Sequence, residues 1–141
     1  MPPDCAARVG EFGQRYYAAL GIDRTDKAAR YRQTGRNFVF FDAPVGLIFT
    51  IHRALTHSWP DYGLFLQNII LAAHARGLAT CPQVSFVRYQ TLIADRLGLG
   101  SEELVACGLS LGYAEPQAPV NRLNMPREPL DNVARWHGFD E

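Results

Sequence analysis

The stretch that most constrains this chain is an apolar run over residues 60–76. Tyr62, Phe65, Leu66, Ile69, Ile70 and Ala73 recur at i, i+3, i+4, i+7, i+8 and i+11, the spacing of one helical face. Leu64, Leu71, Ala72 and Ala75 make the opposite face apolar too, with Gln67, Asn68, His74 and Arg76 as the polar interruptions. A helix greasy on both sides is expected to run through the middle of a core rather than lie over it. Ser58 and Asp61 fit a capping pair at its start, and Gly77 fits a left-handed stop at its end. The segment that follows, Leu78-Ala79-Thr80-Cys81-Pro82-Gln83, then reads as a rigid Cys-Pro turn whose exposed backbone could meet a flat ligand.

The other elements arrange themselves around this helix. Val9, Phe12, Tyr16, Ala19 and Leu20 give a short helix closed by Gly21, and residues 25–32 a second, polar one. Residues 45–51, after Asp42-Ala43-Pro44, are too short and too rich in branched side chains for anything but a strand. Residues 104–113 form the other continuous apolar run and should pair with the first in a central sheet. Tyr89, Leu92, Ile93 and Leu97 keep helical spacing before Gly98. Helices, strand, helix, helix, strand gives an α+β fold with a mixed or antiparallel central sheet flanked by helices. Beyond Glu115, prolines at 116, 119, 126 and 129 predict an extended C-terminal tail.

The chain of 141 residues is the length of one domain, and 48% hydrophobic content supports a core. Lys+Arg and Asp+Glu are equal at 14 each, so nothing in the charge balance recruits nucleic acid or an anionic membrane. No window approaches the ~18 uninterrupted apolar residues of a membrane span, and no basic, then hydrophobic, leader is present, so the expected compartment is cytoplasmic. Cys5, Cys81 and Cys107, odd in number and widely spaced, fit reduced thiols there.

Several residues invite chemistry and are weighed here. Gly108-Leu109-Ser110-Leu111-Gly112 matches the nucleophile-elbow pattern of hydrolases, which needs a strand ending at Ser and a helix starting after it. The apolar run instead continues through Ser110 to Tyr113, so Ser110 reads as a strand residue and its glycines as points of close approach by a neighbouring backbone or ligand. His52, His57, His74 and His137 do not pair with another His or Cys at helical ligand spacing, so no metal site is expected. Cys81 has no nearby His or Lys in sequence to lower its pKa and reads as a packed thiol. Taken alone, residues 81–85 read as a helix stop, and Arg122 and Arg127 as solvated charges in the tail.

Arg36-Asn37-Phe38, Phe41-Asp42-Ala43-Pro44-Val45-Gly46, Asp61-Tyr62-Gly63, Gln67-Asn68, the Gly77 to Gln83 segment, Cys107-Gly108, Leu111-Gly112-Tyr113-Ala114, Pro119-Val120-Asn121-Arg122 and Arg127-Glu128-Pro129-Leu130 follow one another in an order and spacing that resembles the nitroreductase family of flavin enzymes. The resemblance runs from Tyr16 to Phe139. It implies a single nitroreductase-like domain over 1–141, bound FMN, and a homodimer. It also implies a cycle in which NAD(P)H reduces the flavin by hydride transfer and leaves, and a nitroaromatic or quinone then takes its place. In the family the flavin carries the chemistry, so no catalytic acid or base is called for.

Carried over position by position, the resemblance places Pro82, Gln83, Val84 and Ser85 against the flavin ring, and Arg127, with Arg122 as second choice, at the FMN phosphate. Val84-Ser85 stands where many members have Glu-Gly, a change that preserves backbone donation and removes a carboxylate. Relative to the family the chain reads as N-terminally truncated, without the usual Arg-x-Ser-x-Arg phosphate segment or the long helix after it, and Pro2-Pro3 falls where the family has an internal loop. From this follow weak flavin binding and an apolar patch left exposed from Tyr62 to Ala73. The alternative is a non-catalytic fragment or remnant that no longer binds flavin.

Overall fold

The computed structural model describes residues 1–55 and 57–138; Phe139, the last residue of the resemblance, lies outside them. The chain divides into two compact units, one of Met1–Arg24 with Pro116–Glu141, the other of Thr25–Glu115.

The first unit opens with helix α1, Pro3–Ala19. It begins well before the Val9 start expected from spacing, because Pro3 sits in the first turn, where a missing N–H costs nothing. The loop expected at Pro2-Pro3 is therefore a helix start. In the second unit α2, Lys27–Gly35, is capped by Asp26, whose side chain accepts from Ala29 N at 2.8 Å. An irregular 3₁₀ segment, Arg36–Asp42, leads into β1, Val45–His52. Helix α3 spans Trp59–His74, β2 Ala79–Gln83, a second 3₁₀ segment Val84–Tyr89, α4 Gln90–Leu97 and β3 Glu103–Gly112. The tail, back in the first unit, holds a 3₁₀ turn at Pro119–Arg122 and a single helical turn, α5, at Leu130–Val133.

The three strands order as β1-β3-β2, both pairings antiparallel. The pairing of β1 with β3 is the one the two apolar runs imply. It carries a bulge: Phe49 faces Cys107 while Thr50 faces Val105, leaving Ala106 unopposed. The expected Cys-Pro turn is instead the edge strand β2. Pro82 is tolerated there because an edge strand has one side on which no N–H is needed. Since β2 reaches only residues 108–112 of β3, the rest of that edge is closed by a side chain. Gln90 donates from Nε2 to the Glu103 carbonyl at 2.9 Å and accepts from the Val105 amide at 2.5 Å, as a neighbouring strand would.

Helix α3 stops where expected. Gly77 adopts φ +73°, and Gly77 N and Leu78 N return to the carbonyls of His74 and Ala73 at 2.9 and 3.0 Å. Gly21 and Gly98 close α1 and α4 with the same hand. Ser58 does occupy the N-cap of α3, yet its side chain makes no capping bond. Burial departs further from expectation. Only Ala73 is buried; Leu64 and Leu71 are 66% and 54% exposed, so α3 is not threaded through a core. One of its two apolar faces finds the sheet and the other has no partner in the described chain. The exposed patch forms at Leu64, Phe65 and Leu71, but not at its expected ends, since Tyr62 is half-buried.

Adjacent strand residues point to opposite faces, so Cys107 and Gly108 define two sides of the sheet. On the Cys107 side lies α3: Tyr62 Oη shares a hydrogen bond with Cys107 Sγ at 3.0 Å, and Phe65 meets Phe49 edge-on. On the Gly108 side the 3₁₀ segments bring a cluster of aromatic rings. Phe40 stacks on Phe86 at 4.9 Å, and Phe38 meets Phe86 and Tyr89 edge-on. A Cβ at Gly108 would stand 2.4 Å from the Phe86 ring, and one at Gly112 would stand 2.7 Å from Pro44. Both glycines are thus points of close approach, though to side chains of this chain rather than to a backbone or ligand.

Gly108→Ala is therefore expected to destabilise the chain by about 1–3 kcal/mol, the usual cost of overpacking. Gly10→Ala, inside α1 with nothing near its Cβ position, should be neutral or stabilising by up to ~1 kcal/mol. Urea denaturation of the two variants checks both values.

Candidate functional site

The end of β2 and the turn after it hold Pro82, Gln83, Val84 and Ser85 as one continuous strip. Pro82 is exposed, Gln83 only 2% exposed, Val84 74% exposed and Ser85 half-buried. A buried amide is costly unless each polar atom is met. At Gln83 each is. Nε2 donates to the Asn37 carbonyl at 2.8 Å and to Asn37 Oδ1 at 3.3 Å, while Oε1 accepts from Ser110 Oγ at 2.6 Å. Three residues on, Phe86 is seated on Gly108. The strip is pinned at 83 and at 86: Pro82 and Gln83 end the edge strand β2, which has no further strand beside it among the described residues, and Val84 and Ser85 continue into the 3₁₀ segment. Such an edge offers main-chain donors and acceptors to a planar ligand.

The two arginines lie in the other unit and differ in their commitments. Arg122 donates from Nε to the Pro116 carbonyl at 3.0 Å and from Nη2 to Gln117 Oε1, bracing the tail. Arg127 has no side-chain partner among the described residues. It borders a hollow of about 300 Å³ lined also by Arg8, Glu11, Phe12, Met125 and Glu128. A hydrogen bond from Asn132 and an ion pair with Arg8 at 3.2 Å hold the Glu128 carboxyl below its usual range, so it stays charged opposite Arg8. Arg127 is left as a guanidinium able to take an incoming anion through its planar fork.

Ser110 is buried with its hydroxyl committed to Gln83, and β3 runs past it to Gly112 with no helix following, as the strand reading requires. The Gly-x-Ser-x-Gly pattern is the period-2 alternation of a sheet with one small-residue face. Cys81 is exposed rather than packed, and partial burial pushes its thiol up, which disfavours the nucleophilic thiolate. No group of three His, Cys, Asp or Glu side chains that could hold a metal occurs among the described residues. Sequence reasoning missed Asn37 and Ser110 as the partners of Gln83. The available signal was the alternation itself, which puts Gly108, Ser110 and Gly112 on one face.

The second unit is thus an α+β sheet unit with a pinned strip at the end of its edge strand beside an aromatic cluster, and the first carries an uncommitted arginine. The profile of the "Nitroreductase family" matches residues 9–113, and the chain belongs to that family. It is 50% identical, over 99% of its own length, to a 4-nitrobenzoate reductase of Pseudomonas putida. It is 43% identical, over 93%, to a nitrobenzene nitroreductase of Ectopseudomonas oleovorans. It spans 64% and 58% of those two relatives. Among solved structures, the FMN and NADPH-dependent nitroreductase NfnB from Sphigopyxis sp. strain HMH superposes with a TM-score of 0.94 at 38% identity, covering 99% of this chain and 63% of that one. The FMN-dependent NfnB from Mycobacterium smegmatis in complex with NADPH gives 0.89 at 29%, covering 97% and 62%.

Burial, followed by the hydrogen bond with Cys107, pushes the Tyr62 phenol well above its ordinary range. A raised folded-state pKa means that the stability it contributes is complete below the unfolded value of ~10 and is lost as pH rises above it. Ultraviolet titration of phenolate should show one tyrosine ionising after the others. Tyr62→Phe should abolish that late component and flatten the alkaline fall in stability; an unchanged late component would move the assignment elsewhere.

Proposed function

We propose that this chain supplies the flavin-gripping portion of an FMN-dependent oxidoreductase that reduces nitroaromatics or quinones with NAD(P)H. The observation that carries the reading is the superposition on an FMN and NADPH-dependent nitroreductase over 99% of the chain. The residues present fit the cofactor. The strip at Pro82, Gln83, Val84 and Ser85 would hold the isoalloxazine through main-chain polar groups, with the exposed Val84 side chain offering it apolar surface. Arg127 fits a phosphate better than Arg122, whose guanidinium is already occupied. The chemistry that bound FMN supplies is two-electron transfer, first from NAD(P)H and then, in a separate encounter at the same cleft, to the substrate.

The protein's own part is binding and orientation. With Gln83 turned inward, recognition of the ring falls to main-chain atoms of the strip, which suits a role that survives Val84-Ser85 in place of Glu-Gly. The exposed Leu64 and Leu71 of α3 support association with a second copy, and three free cysteines suit a reducing cytoplasm. Names of relatives point to nitrobenzoates and nitrobenzenes as the first substrates to try, with NADPH as reductant.

The reading is tested by purifying the chain alone, and joined to the portion of the Pseudomonas putida relative that it does not cover, and measuring FMN content and NADPH-dependent reduction of 4-nitrobenzoate. Yellow protein with turnover supports it. Colourless protein that FMN cannot reconstitute in either form rejects it in favour of a non-catalytic remnant. In the form that holds FMN, Arg127→Ala is expected to weaken binding about 10- to 100-fold, as loss of a charge-assisted phosphate contact does. Arg122→Ala should change it no more than about threefold, the scale of an exposed tail charge. Flavin fluorescence titration separates the two.

A further inference from the structure

We infer that the clasp of Asn37, Gln83 and Ser110 is a positioning device that sets the backbone of residues 82–85 for the flavin ring, with Gln83 acting through that backbone rather than on the cofactor. The inference rests on the flavin reading above and assigns it a residue set. The Gln83 side chain is buried and committed inward: its amide oxygen accepts from Ser110, and Nε2 donates to the Asn37 carbonyl and Oδ1. An apolar side chain of equal size would fill the same space without needing partners. What an amide adds is direction, fixing β2 to the first 3₁₀ segment on one side and to β3 on the other.

The Asn37 end of the clasp is itself held by an over-determined path. Phe40, Phe41 and Asp42 follow it with φ of 51°, 54° and 63°, three consecutive left-handed residues that are not glycine. Each costs of order 1 kcal/mol and persists only where its surroundings enforce it. They do so here. Arg36 pairs with Asp42 at 2.6 Å, and the Phe40 ring stacks on Phe86 and lies against Gly46, where a Cβ would stand 2.5 Å away. Strain, clasp and ring seat therefore converge on Gln83 and Phe86, the two residues that flank Val84 and Ser85. Val84 and Ser85 inherit a fixed backbone while their own side chains stay uncommitted to the core.

The test compares Gln83→Met, Ser110→Ala and a control, Ile51→Ala, a core truncation at the far end of β1. Three quantities are measured: thermal midpoint, amide hydrogen exchange at residues 83–85 without cofactor, and FMN dissociation constant in whichever form of the chain holds FMN. Gln83→Met should raise exchange at 83–85 and weaken FMN about tenfold, and Ser110→Ala should do so by less. Ile51→Ala, with a comparable drop in midpoint, should keep FMN affinity within about twofold. Should Gln83→Met fail to fold, Ser110→Ala carries the comparison alone. Parental FMN affinity in the folded clasp variants, or an equal loss in Ile51→Ala, overturns the inference while leaving the flavin reading intact. A parent that takes up no FMN in any form overturns the flavin reading and the inference together.

Discussion

On one face of β3 the side chains at positions 108, 110 and 112 are hydrogen, a hydroxymethyl and hydrogen, while Leu109 and Leu111 project from the other. That bare face lets an aromatic ring lie directly on the strand's backbone. With Phe86 seated on Gly108, the segment after β2 is drawn down on the sheet, and Phe40 and Phe38 pack around it in pairs worth about 0.5–1.5 kcal/mol each beyond their buried area. Ser110, between the two glycines, is the only one of the three with an atom to give, and it gives it to Gln83. Pro44 closes the far end at Gly112, which fixes where β1 begins.

The same constraint explains the edge. β2 is five residues long, contains a proline, and has one strand neighbour, so pairing alone holds it weakly. Its last residue is secured by side chain instead, through an amide that reaches both β3 and the segment preceding β1. Gln90 performs a comparable service farther along β3. Two glutamine amides thus stand in for backbone where strands run out, each with both its nitrogen and its oxygen hydrogen-bonded. A half-satisfied amide in either place would cost more than it contributes.

Much of this was legible in the sequence, and the failures have physical causes. The glycine stops at 21, 77 and 98, the strands at 45–51 and 104–113, and their pairing follow from periodicity and left-handed caps. β2 was not legible, because Thr80-Cys81-Pro82 lacks alternation and a proline after a helix stop reads as a turn. The helix from Pro3 was hidden by the same habit of reading proline as an interruption. The burial of Gln83 was invisible, since a polar residue beside Pro82 gives no hint that Asn37 and Ser110 are waiting for it across 46 and 27 residues of chain. For α3, the pattern established apolarity on both faces but could not say which face the chain itself covers. The strip from Pro82 to Ser85 and the arginines came from resemblance, and the difference between Arg122 and Arg127 became visible only with the partners of Arg122 in place.

The two sides of the sheet hold their layers by different physics. Against α3, the contacts of Phe49 with Phe65 and of Cys107 with Tyr62 are mainly apolar, and such packing tolerates changes that keep volume and polarity. On the other side, any added Cβ at 46, 108 or 112 falls within 2.7 Å of a neighbour, and the amide of Gln83 accepts only partners in fixed directions. Hydrophobic area sets how strongly α3 adheres; distance and direction set where residues 82–86 lie. Geometric tolerance is therefore tightest on the side that presents the exposed strip, and slackest on the side whose outer face, at Leu64 and Leu71, is left to whatever apolar surface meets it.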